Sequence, residues 1–201
     1  GIRRIGVNER NLALSTSDAK YDYFVQNNRL EYYGNPWQYG AMNACFAKVD
    51  GLWYWGKTYG GGGIFRFAES DISPVDISRG TNPPYATIFP DEFVKSFVID
   101  ATNQILYAVI RDKGLYAVPL TDITANDATK TNTKAESKYL VASFKSDSEG
   151  SVGEYVDVCQ MVLDSSDGSV YFGLRAEEGS SETSGVKRWN PTTKKLETIV
   201  S

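Results

Sequence analysis

Apolar residues along this chain come in short runs, each closed by a turn former, and almost none keeps the 3.6-residue period of a helix. Three runs repeat one another. "KVDGLWYWGKTYGGGGIFRF" (residues 48–67), "VIDATNQILYAVIRDKGLYAV" (98–118) and "VLDSSDGSVYFGLRAEEGSSETSGVKRWNP" (162–191) each place an aspartate, Asp50, Asp100 or Asp164, at the end of an apolar strand. A turn follows, as an Asp side chain favours. Then come Leu52-Trp53, Leu106-Tyr107 or Val170-Tyr171, and four residues past the aromatic stands a base: Lys57, Arg111 or Arg175. After a variable loop each copy resumes at Gly63, Gly114 or Gly185 with a further apolar strand.

The pattern predicts an antiparallel meander in which the aromatic strand is half buried and the glycine opens the return strand of a hairpin. "CFAKVD" (45–50), "KSFVID" (95–100) and "CQMVLD" (159–164) are the predicted innermost strands, and "KYLVASF" (138–144) supplies an outer one. A faint helical period in "DEFVKSFVID" (91–100) gives way to its β-branched end and its place in the repeat, which favour a strand. A four-stranded unit recurring every ~50 to 65 residues is the pattern of propeller blades. The predicted fold is all-β, with β-propeller-type blades near residues 45–70, 95–120 and 159–191 and a weaker copy near 12–33. That weaker copy keeps Asp18, Tyr21 and Leu30 but has Val25 where the others have a base. The whole of 1–201 is expected to be one propeller domain or a propeller fragment, three clear copies suggesting part of a larger ring. The polar stretches 70–85 and 123–138 read as exposed connections between blades.

Composition narrows the function. The chain has no histidine, which removes the Ser-His-Asp triad, the Cys-His pair and every His-based metal site. Its two cysteines stand far apart and make no zinc cluster. No cofactor is expected, although a structural calcium ion held by carboxylates stays open without any EF-hand spacing. "YGGGG" (59–63) lacks the Lys-Ser/Thr of a phosphate loop and reads as a flexible turn. A net charge of −4 argues against nucleic acid, and no apolar run approaches the ~18 residues that would predict membrane insertion. The chain opens on Gly1 with no signal-peptide pattern, so a processed protein or an excised fragment is expected.

Two stretches resemble the yellow and major royal jelly protein family and the related bacterial propellers. "LYAVIRDKGLYAVPLTDI" (106–123) is similar to the family's paired Leu-Tyr and Leu-Tyr-x-Val-Pro run. "SSDGSVYFGL" (165–174) with "GVKRWNP" (185–191) is similar to its Asn/Asp-Gly, aromatic-Phe-Gly-Leu and Trp-Asn elements. The likeness covers roughly residues 95–200. It implies a secreted, extracellular six-bladed propeller of about twice this length. Members of that family include non-enzymatic binders of small amines, nutritive or structural secreted proteins, and proteins linked to dopachrome conversion. None of the family's ligand residues matches a position here one by one.

The candidate ligand-binding residues are Lys57, Tyr59, Arg111, Arg175 and Glu177, with no catalytic or metal residue assigned. Three bases at one repeat position would ring one face and suit an anionic ligand or a polar partner. Alternatively each is a solvated strand end paired locally with Asp112, Glu177 or Glu178, worth about 0 to 1 kcal/mol. Asp50, Asp100 and Asp164 would line the opposite end, as turn residues before anything catalytic. Cys45 and Cys159 occupy equivalent positions in non-adjacent copies, so no disulfide between them is expected. The leading function is a secreted, non-catalytic propeller that binds a small molecule or a protein partner on its loop face. The alternatives are a propeller enzyme, lactonase-like or dopachrome-type, and a structural subunit associated with propeller blades of another chain.

Overall fold

The computed structural model describes residues 46–57, 63–68, 86–90, 92–111, 113–123, 132–143, 156–176 and 184–201. Their regular structure is β throughout, apart from two single 3₁₀ turns at Leu120–Asp122 and Ser137–Tyr139. The first sheet is built from β1 (Phe46–Val49), β2 (Leu52–Lys57), β3 (Gly63–Ala68) and β4 (Ala86–Ile88). The second is β5 (Val94–Asp100), β6 (Ile105–Ile110), β7 (Gly114–Pro119) and β9 (Leu140–Ser143). The third is β10 (Val156–Leu163), β11 (Val170–Ala176), β12 (Gly185–Asn190) and β13 (Lys195–Val200). Each is an antiparallel four-stranded meander, the unit from which propellers are made. The weaker copy at 12–33, the connection at 70–85 and Cys45 lie outside the described residues.

The anchor aspartates occupy one place in successive sheets, each at the turn between first and second strands. The turns themselves differ in length. Val49 pairs with Leu52 across Asp50-Gly51, both at positive φ (50° and 76°), the type I′ geometry that suits a two-residue hairpin. Asp100 pairs with Ile105 across four residues, and Leu163 pairs with Val170 across six. A longer turn needs its own internal bonds. Asp100 is buried, and its carboxylate accepts from the Asn103 backbone N–H (2.9 Å) and side-chain Nδ2 (2.7 Å). Asp164 Oδ1 accepts from the Ser166 N–H (2.9 Å) and hydroxyl (2.6 Å).

The second sheet is the middle layer. Along β6, Leu106, Ala108 and Ile110 join a core with Tyr54, Ile64 and Ile88 of the first sheet. Tyr107 and Val109 join a separate core with Val170, Phe172 and Leu174 of the third. Strand alternation sends successive side chains to opposite faces, so one strand feeds two cores. This corrects the half-buried expectation for the aromatic strand: β6 is buried on both faces, as is the described middle of β2, Tyr54 to Gly56. Only β11 alternates, with Phe172 and Leu174 buried and Tyr171 and Gly173 half-buried. The first strands lie side by side, β5 packing against β1 and β10. Ser96 Oγ accepts the Met161 N–H at 3.2 Å, which ties β5 to β10.

The polar stretch 123–138 is not wholly an exposed connection. Ile123 and Thr133 are buried, and a two-residue strand, β8 (Asn132–Thr133), pairs in parallel with β4 of the preceding sheet. The Phe89 N–H donates to the Thr133 carbonyl at 2.7 Å, and Arg66 Nη1 donates to the Ile123 carbonyl at 3.2 Å. The loop of one blade therefore clasps the outer strand of its neighbour.

Candidate functional site

The first-hairpin turns of adjacent sheets touch. Gln104 Nε2 donates to Asp50 Oδ2 at 3.3 Å, and Gly168 lies where an added Cβ would stand 3.3 Å from Asp100 Oδ2. Since β2, β6 and β11 all start at that end, all three finish together at the other. Lys57 is the last residue of β2, Arg111 follows the last residue of β6, and Arg175 is the penultimate residue of β11. Arg111 is half-buried and Arg175 exposed. The side chain of Lys57, and Tyr59 and Glu177 altogether, lie outside the described residues.

The registers are not identical. Ile110 pairs with Gly114 and Leu174 with Gly185, one residue before each base, whereas Lys57 itself pairs with Gly63. The first blade's second hairpin is therefore one pair longer. All three glycines have positive φ, at 97°, 146° and 146°. A Cβ on Gly114 would run into the Ala142 carbonyl oxygen, and one on Gly185 into that of Val200. Glycine opens these strands because the outer part of the sheet leaves no room for a side chain.

The rim holds residues that the repeat alignment passes over. The first strand of the second blade enters at this end, and the Arg111 N–H donates to the Phe93 carbonyl at 2.9 Å. Phe93 is 44% exposed. Beside it Lys113 Nζ meets Glu92 Oε1 at 2.6 Å, an exposed pair that screening by water keeps weak. Lys113 stands in the hairpin with Arg111, but the alignment counts from the aromatic and so selects Arg111 alone. Phe93 has no repeat partner that would mark it.

No family model and no curated protein matches the chain. Among solved structures it is similar to the WD40 domain of coronin from Toxoplasma gondii, at a TM-score of 0.48 and 14% identity over 82% of this chain. The match spans 39% of that chain.

At the opposite end Asp100 and Asp164 are held by their own turns, and Asp50 by Gln104 of the neighbouring one. Asp167 there accepts the Ser169 N–H (2.8 Å), the Ser169 hydroxyl (2.9 Å) and Arg188 Nη2 (2.7 Å). The two serine bonds, backbone first, and then Arg188 hold its carboxyl below the usual range. Arg188 in turn lies 5.9 Å from the Tyr171 ring centre and 3.7 Å from Glu197. Among the described residues no group of three or more Cys, Asp or Glu side chains is placed to hold a metal ion. In the cores, burial pushes the phenols of Tyr54, Tyr107 and Tyr116 up, Asp100 adding to the shift of Tyr107. These tyrosines pack in the cores and keep their hydroxyls protonated near neutrality.

Proposed function

We propose that this chain is a secreted, non-catalytic propeller module that binds an anionic group, on a small ligand or on a partner's acidic patch, at the end where the second hairpins emerge. The supporting observation is the placement of Arg111 and Arg175 at one repeat position and one end, with Lys113 and the exposed Phe93 beside Arg111. Fixed strand ends carrying loops of different length are how propellers build recognition surfaces. An apolar ring beside Arg111, at the end where Arg175 also stands, suits a ligand that is partly apolar and partly anionic, and it disfavours a cationic amine. The secreted setting rests on the resemblance to the yellow and major royal jelly proteins.

Replacing Lys57, Arg111 and Arg175 together by Gln tests this. Calorimetric titration with a Glu-rich peptide containing one aromatic residue should show at least about tenfold weaker binding, with a flatter dependence on salt. Unchanged affinity and salt slope would leave three solvated strand ends.

A further inference from the structure

The turns at the aspartate end carry the chain's two Asp-Gly steps, Asp50-Gly51 and Asp167-Gly168; there is no Asn-Gly step. Asp-Gly is the step most open to attack by its own backbone, because glycine puts no side chain beside the nitrogen and lets the main chain rotate freely. The two steps are identical in sequence and opposite in surroundings. Asp167 is fastened by the Ser169 N–H (2.8 Å), the Ser169 hydroxyl (2.9 Å) and Arg188 (2.7 Å). Gly168 is hemmed in, since a Cβ there would stand 3.3 Å from Asp100 Oδ2 and 3.4 Å from Pro191. Asp50 is exposed, and among the described residues its carboxylate accepts one hydrogen bond, from Gln104 Nε2 at 3.3 Å. That amide makes its shorter bond, 2.7 Å, to the Ala101 carbonyl of its own turn. A Cβ on Gly51 would meet nothing within 4 Å. Asp50 also holds φ at 50°, a left-handed conformation that disfavours a residue with a Cβ, and opening the turn relieves it.

We propose that Asp50-Gly51 is a site of spontaneous backbone modification, at which aspartate converts to isoaspartate in the folded protein. The Gly51 amide nitrogen attacks Cγ of the protonated Asp50 carboxyl. The N–Cγ bond forms, a Cγ–O bond breaks, and water leaves with the carboxyl OH and the amide proton. Water then adds to the former main-chain carbonyl of the succinimide ring and breaks its bond to nitrogen, so the chain continues through Cβ and Cγ. Ring closure requires rotation out of the type I′ geometry, so its rate follows how often the turn opens. An exposed two-residue turn with one long side-chain bond opens readily; the bonded and packed turn between Leu163 and Val170 does not. Ionisation adds to the contrast. A carboxylate is a poor electrophile, and the two serine bonds and Arg188 keep Asp167 ionised to lower pH than usual. The product lengthens the main chain at Asp50 and moves the carboxylate away from Gln104, which severs the hydrogen bond between the first-hairpin turns of the first two blades.

Ageing the full chain for several weeks at neutral pH, in buffer and in parallel in guanidinium chloride, tests this. Trypsin then frees residues 49–57 as one peptide, because Lys48 and Lys57 bound it, and electron-transfer fragmentation in the mass spectrometer distinguishes isoaspartate from aspartate at each position. In the folded chain isoaspartate should accumulate at Asp50 at least about tenfold faster than at Asp167, as local opening of the two turns differs. In denaturant the two steps should react within about twofold of each other, since only the fold tells them apart. Arg188→Gln should narrow the gap in the folded chain by speeding Asp167 alone. Comparable rates at the two sites in the folded chain, a faster Asp167, or a preference for Asp50 that persists unchanged in denaturant overturns the assignment. The measurement uses the native chain and no ligand, so it stands or falls apart from the anion-binding rim.

Discussion

Arg188 concentrates the electrostatics of the third blade in one side chain. It stacks over Tyr171, bonds Asp167 at 2.7 Å and Ser169 Oγ at 3.1 Å, and so fastens the turn to the sheet. Asp167 works in its ionised form, and its folded pKa is depressed. Its contribution is therefore present above the unfolded value and lost as pH falls through the folded one. Asp167→Asn should lower the urea midpoint at pH 7 by roughly a few tenths molar, and the gap to the native chain should close below about pH 4. A gap of constant size from pH 7 to 3 would mean that the carboxylate's charge is not what holds the turn. The anchor aspartates were legible in the sequence because a short turn restricts which side chains can bond its backbone. Arg66, reaching the Ile123 carbonyl from another sheet, was not, because that bond exists only once the sheets stack.

At the scale of the strand, the glycine that opens each third strand is the feature that sequence and structure explain together. The repeat shows where it falls; the structure adds that its φ is positive and that the outer backbone stands against it. Gly114→Ala meets both obstacles at once and should cost about 2 kcal/mol or more, read as a fall in urea midpoint at unchanged m-value. A neutral substitution would show that β7 does not start in this conformation. Strand β9 was also legible, from the apolar core of "KYLVASF". The clasp strand β8 was not: two polar residues carry no periodicity, and their partner is a strand of the previous blade. The burial of β6 on both faces was hidden for a related reason. "ILYAVI" reads as an aromatic strand with one wet side until a third layer is placed on it.

At the scale of the molecule, the repeat specifies the blades, and the odd and even positions of β6 specify how they stack. The candidate rim follows from that stacking, since second strands that start together finish together. Only part of it was readable in advance: Arg111 and Arg175 by their spacing, but not Phe93 and Glu92, which arrive from the entry to the same blade's first strand, nor the pairing of Glu92 with Lys113. The stacking order is therefore the claim on which the rest depends. Methyl-resolved nuclear Overhauser spectroscopy of the full chain tests it directly through neighbouring residues of one strand. The Leu106 methyls should contact first-sheet side chains such as Tyr54 and Ile88, and the Val109 methyls third-sheet side chains such as Phe172 and Leu174. Leu106 and Val109 reporting the same set of neighbours would contradict three sheets stacked face to face.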